Sequence, residues 1–132
     1  MRHNNGGNGD LTPPLIRALK EFERADKGRI VIITGRNTFS AAQIFISRVE
    51  SGMTAVFAGE PSSSKPNFVG EENEVILPYS GARGSISNRY HENIPGDTRE
   101  WIVPKLAIEL SSTDYFGNRD RVLEAVLAQY SK

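Results

Sequence analysis

The chain contains no cysteine at all. That absence excludes a disulfide framework and any Cys-ligated zinc site. With only two histidines, far apart at His3 and His91, metal-ligand spacing is missing as well. Charge of one sign is equally lacking: 16 Lys and Arg face 16 Asp and Glu, so the formal charge is zero. A neutral balance argues against nucleic acid or an anionic membrane as the main partner. No apolar run approaches the ~20 residues that span a bilayer, and the first ten residues do not read as a signal peptide. Gly6-Gly7-Asn8-Gly9 lacks the Gly-Lys-Ser/Thr of a P-loop, and no GxGxxG occurs. The absences therefore imply no cofactor, no metal, no nucleic acid and no membrane insertion.

What is present fits one globular domain, residues 1–132. A helix is expected to begin near Pro13-Pro14, capped by Asp10 or Thr12, with Leu15, Ile16, Leu19 and Phe22 at helical spacing. Residues 29–34 form a β-branched run bounded by Gly28 and Gly35, which reads as a buried parallel strand. Asn37 or Thr38 can cap a second helix with Ala41, Ile44, Phe45 and Val49 on its apolar face. Residues 54–58 read as a second buried strand. Helix–strand–helix–strand with short links predicts an α/β fold. Residues 60–100 are rich in Ser, Gly, Pro and Asn, and hold only short strand candidates at 74–77 and 84–87. Further short strands are expected at 101–103 and 106–110, then a turn at 115–120. A last helix follows, whose stripe of Val122, Leu123, Val126, Leu127 and Tyr130 docks onto the core.

The stretch Thr34-Gly35-Arg36-Asn37-Thr38-Phe39-Ser40-Ala41-Ala42-Gln43 carries the most chemistry. A buried strand ends in a tight turn, and Ser40 falls at the start of the next helix. A nucleophile placed there stands above the carboxyl edge of the sheet, where ligands bind. The free N–H groups of the first helical turn face the same space and can stabilise an oxyanion. The alternative is that Ser40 merely caps its helix, a common use of serine. A serine nucleophile needs a base. Lys65, after Ser62-Ser63-Ser64 in the loop that follows the second buried strand, can reach Ser40 if the strands are adjacent and parallel. It can equally be a solvated loop lysine. His3 lies beside the glycine turn, and His91 reads as a surface residue. The Asn4-Asn5-Gly6-Gly7 turn tolerates positive φ and can aim backbone N–H groups at one point, unless it is simply a frayed terminus.

Three motifs in order carry a resemblance. Arg2-His3-Asn4-Asn5-Gly6-Gly7 resembles the end of the Asp-Leu-Arg-x-Asn-x-Gly-Gly motif of the C-terminal processing (tail-specific) serine peptidases. Asn37-Thr38-Phe39-Ser40-Ala41-Ala42-Gln43 is similar to their nucleophile motif, with Gln43 where Glu is usual. Gly59-Glu60-Pro61, three serines and Lys65-Pro66 resemble their Gly-x-x-Thr-x-Gly-Lys segment, with the serines in place of Thr-x-Gly. Leu77-Pro78-Tyr79-Ser80-Gly81 and Asp114-Tyr115-Phe116 look like an uncharacterised bacterial branch. The resemblance implies Ser40 as nucleophile, Lys65 as general base, and an oxyanion hole from the N–H of Ala41 with that of Gly6 or Gly7. It implies peptide or protein substrates, no cofactor, and a Clp protease/crotonase-like fold of layered ββα units. Met1 falls where that family has the leucine of a preceding strand. Under the resemblance the chain is expected to correspond to the C-terminal part of such a domain, incomplete at its N-terminus and inactive alone if that strand is needed. Its bare sheet edge could drive formation of a homo-oligomer. Related tricorn-type peptidases draw their base from a histidine upstream of the serine, and under that variant Lys65 is incidental. Two other readings stay open: a non-catalytic relative that binds peptides or other ligands, and a crotonase-like acyl-CoA enzyme using paired backbone N–H groups without a serine. Members of the peptidase family commonly act outside the cytoplasm.

Overall fold

The computed structural model describes residues 1–130 and shows a mixed α/β protein. After a 3-10 turn at Gly9–Leu11 come α1 (Thr12–Arg24), β1 (Ile30–Thr34), α2 (Ala41–Gly52) and β2 (Ala55–Gly59). A hairpin of β3 (Phe68–Ile76) and β4 (Arg83–His91) follows, then β5 (Leu106–Ala107), α3 (Ser112–Phe116) and α4 (Arg121–Tyr130). The main sheet has the order β1-β2-β5 and is parallel throughout, with Ile30 opposite Ala55 and Thr34 opposite Gly59. Among the described residues no helix is long and apolar enough to cross a membrane.

The two faces of this sheet bury different helices. Ile32 and Phe57 point to one side and meet Phe45, Ile46 and Val49 of α2, with Ile16 and Leu19 of α1 at the margin. Val31, Ile33 and Ala58 point to the other and meet Val122 and Val126 of α4. Alternation of side chains along a strand makes this division unavoidable once both faces are covered. Leu123 and Leu127, expected in the docking stripe of α4, stay about half exposed. Where the two paired strands end, Gly59 stands opposite Thr34 with no room for a side chain. Its φ is +105°, and an added Cβ would lie 2.5 Å from the Thr34 carbonyl oxygen. Gly59→Ala is expected to destabilise the fold by roughly 2–4 kcal/mol, read as a fall in the chemical-denaturation midpoint without loss of cooperativity.

Several local expectations need correction. Neither Asp10 nor Thr12 caps α1: Leu11 occupies the cap position, and Asn8 instead caps the preceding 3-10 turn. Neither Asn37 nor Thr38 caps α2, because Thr38 Oγ1 accepts from the Gly35 N–H and donates to the Met1 carbonyl, and the helix starts after Ser40. Residues 101–103 are not a strand. Ile102 is fully buried, but its backbone bonds with Ser62 in place of a sheet neighbour. The expected strand at 106–110 shortens to two residues, and part of the expected turn at 115–120 is the short helix α3. The hairpin strands are much longer than 74–77 and 84–87. They pair with each other, Phe68 opposite His91 through Ile76 opposite Arg83. Most of their side chains remain exposed, so no buried face imposes a period-2 pattern on the sequence.

Candidate functional site

The site is built where β1 runs into α2. Residues 35–39 form a turn closed by Thr38 N–H to the Gly35 carbonyl at 2.8 Å. Ser40 then takes φ +52°, ψ −123°, and its side chain makes no capping hydrogen bond. A non-glycine residue in this region costs about 1–3 kcal/mol, and such strain persists only where neighbours over-determine it. Here they do. Phe39 N–H is fixed by the Asn4 carbonyl at 3.2 Å, and the Ser40 carbonyl accepts Ile44 N–H at 3.0 Å. The bland expectation, that Ser40 spends its hydroxyl on capping, does not describe this geometry. The hydroxyl makes no bond to its own helix and lies close to Gly6.

Above it lies the N-terminal segment. A Cβ on Gly6 would come within 2.7 Å of Ser40 Cβ, 3.1 Å of Ser40 Oγ and 3.5 Å of the Ala41 nitrogen. Only glycine, here at φ +123°, lets the backbone approach this closely. The start of the chain is therefore packed against the site. Ala41 is the first residue of α2, so its N–H has no acceptor within the helix. Gly6 N–H, by contrast, donates to Asn4 Oδ1 at 3.0 Å. That leaves Ala41 N–H as the donor beside Gly6, while Gly7, at φ +127°, has open surroundings.

A distant ion pair holds that segment down. The Arg2 guanidinium forks onto the Asp120 carboxylate, which also accepts Leu123 N–H at the start of α4. Arg2 holds the Asp120 carboxyl down at about 2, below its ordinary 3.8. A depressed carboxyl contributes stability that is complete above its unfolded pKa and is lost as pH falls through the folded one. The melting temperature of Asp120→Asn should thus lie below the parent's at neutral pH. The gap should close as pH falls from about 4 towards 2, as followed by thermal denaturation across that range.

The structure brings the loop of Lys65 to the same place. Ser63 donates its N–H and hydroxyl to the Thr38 carbonyl at 3.1 and 3.0 Å, and Ser47 on α2 donates to the Pro66 carbonyl at 3.4 Å. Lys65 lies between these two attachments, beside the first turns of α2. Its ammonium, however, points to Glu100 at 2.8 Å, with both side chains more than half exposed. Glu100 follows Arg99, which is locked between Glu50 and Asp97. Arg99 in turn holds the Asp97 carboxyl below its usual range through direct hydrogen bonds.

The histidines stand apart from this arrangement. His3 is exposed. His91 is more covered than a surface residue, its ring stacked on Phe68 at 5.1 Å and its Nε2 3.7 Å from Glu71. Phe68 also meets Phe39 at 6.2 Å.

Two depressions lie beside the neighbours of Ser40, one at Ala41 and the other at Phe39. One, of about 160 Å³, is lined by Gly6, Ala41 and the apolar side chains of Leu11, Leu15 and Phe45. The other is an open groove of about 720 Å³ lined by Phe39, Lys65, Phe68, Tyr90, Glu100 and Trp101. Sequence reasoning missed Glu100, Asp120 and the Asn4 side chain. Only Asn4 left a local signal, because Asn followed two residues later by Gly is a common Asx turn. Comparison of the chain with protein-family profiles, curated proteins and solved structures yields no match.

Proposed function

We propose that this chain is the catalytic part of a serine-type peptidase, with Ser40 as the nucleophile and Lys65 as the general base. The observation that carries the reading is the backbone of Ser40. A strained serine at a strand-to-helix turn, with its hydroxyl free of any cap and a glycine pressed against it, suits attack on a carbonyl better than helix capping. In this mechanism Ser40 Oγ attacks the peptide carbonyl while its proton passes to Lys65 Nζ. The developing oxyanion is held by Ala41 N–H and by an N–H of the Gly6-Gly7 turn, where Gly7 is the better donor because Asn4 engages Gly6. Lys65 hands its proton to the leaving amine and then activates water to release the acyl group. The small apolar depression beside Gly6 suits one substrate side chain, and the aromatic groove suits the residues on the other side of the scissile bond. The resemblance of three segments to motifs of the C-terminal processing peptidases supports this reading, the mixed α/β class accords with it, and a Clp protease/crotonase-like layering is part of the proposal.

A second reading, peptide binding without hydrolysis, is favoured by the outward position of Lys65 and by the engaged Gly6 N–H. Turnover of an unstructured protein substrate separates the two. Catalysis predicts cleavage that is lost in Ser40→Ala, whereas binding without cleavage by a folded protein would reject the peptidase reading.

A further inference from the structure

Two buried side-chain oxygens among the described residues have no hydrogen-bond partner: Gln43 Oε1 and Ser64 Oγ. Gln43 is fully buried on the first turn of α2, and its amide nitrogen donates to Ser47 Oγ at 3.3 Å. Ser47 in turn reaches the carbonyl of Pro66, the residue after Lys65. Ser64 is the residue before it. One orphaned atom therefore belongs to the residue before the lysine, the other to a helix tied through Ser47 to the residue after it, and both are out of contact with solvent. Leaving such atoms unpaired is costly, and buried polar groups are paired in all but a few cases. A lysine amine brings several rotatable donors on a flexible stem.

We infer that Lys65 has two stations, and that Glu100 controls which is occupied. The outward station is the ion pair with Glu100, in which the proton stays on Nζ and no lone pair is available to Ser40. At the inward station the amine gives one proton to water and donates its remaining N–H groups to Gln43 Oε1 and Ser64 Oγ. Its lone pair then faces the Ser40 hydroxyl. Gln43, Ser64 and Glu100 are positioning residues in this scheme, acting through Lys65. Arg99 keeps the outward partner in place, because its guanidinium is fixed to both Glu50 and Asp97. The inference rests on the serine-peptidase reading, since the inward station has a purpose only if Ser40 needs a base.

The test is the second-order rate of labelling by a fluorophosphonate probe, measured on the whole chain. Glu100→Gln keeps the shape of the side chain and removes its charge. It should raise the rate about two- to fivefold, the shift in population that loss of an exposed ion pair allows. Combined with Lys65→Ala, the same change should have no effect. Gln43→Met, which keeps the volume and removes the amide, should lower the rate, and unchanged melting of Glu100→Gln separates repositioning from a general loosening. An unchanged or lower rate in Glu100→Gln, while parent labelling still needs Lys65, would overturn the two-station scheme and leave the peptidase reading standing. Labelling of Ser40 that ignores Lys65 would also overturn the scheme. No labelling of any variant would remove the scheme together with the peptidase reading.

Discussion

Ser40→Gly should make the protein more stable while destroying its reactivity. Ser40 is held at φ +52°, ψ −123°, a conformation that costs a side-chain-bearing residue about 1–3 kcal/mol and glycine little. Removing the side chain releases that strain, offset in part by the greater freedom of glycine in the unfolded chain. The expected balance is a stabilisation of about 1 kcal/mol, read as a higher denaturation midpoint with an unchanged slope. Over the same change, fluorophosphonate labelling should fall by roughly three orders of magnitude or more, as when an essential nucleophile is removed. Opposite signs for stability and reactivity are what stored strain at a reactive residue predicts. If Ser40 were an ordinary helix cap, the stabilisation would vanish. Gly is nearly as good a cap as Ser, and nothing would be gained.

Gly6→Ala should be the most damaging change in the N-terminal segment. The new methyl group would have to sit 2.7 Å from Ser40 Cβ and 3.1 Å from its oxygen, at a φ of +123° that alanine avoids. The cheapest relief is for the N-terminal segment to lift, since it is a loop tied to the body through Arg2, Asn4 and the Met1 carbonyl. Lifting would remove one wall of the proposed oxyanion site, and losing a donor at such a site lowers reactivity by about 100- to 1,000-fold. The fold itself should suffer far less, because the buried contacts of α2 with the sheet do not involve Gly6. Gly7→Ala serves as the contrast: its added methyl meets nothing within 4 Å, so strain at φ +127° is the whole of its effect.

How much of this was legible in the sequence depends on the range of the interactions. The strand at 30–34 and the turn into α2 were readable because a β-branched run between glycines has few alternatives, and Ser40 came with them. The strain at Ser40 was not readable. It is imposed by contacts such as Phe39 with Asn4, 35 positions apart in the chain. Arg2 and Asp120 lie 118 residues apart, and no local pattern announces their pairing. Lys65 stands out in the sequence by its place after the second strand, but its partner Glu100 lies in irregular backbone whose course is set by Arg99 and Ile102. The hairpin was undersized for a different reason: two strands that cover only each other leave no hydrophobic alternation to count.

The central claim is that Ser40 Oγ is the reactive group. Sequencing by mass spectrometry of the tryptic peptide covering residues 37–48, after fluorophosphonate treatment, tests it directly. This peptide holds Ser40 and, as an internal control, the buried Ser47. The account predicts one adduct, on Ser40, absent after Ser40→Ala. A folded protein that takes up no adduct, or that carries it on Ser47 or elsewhere in the chain, would contradict it.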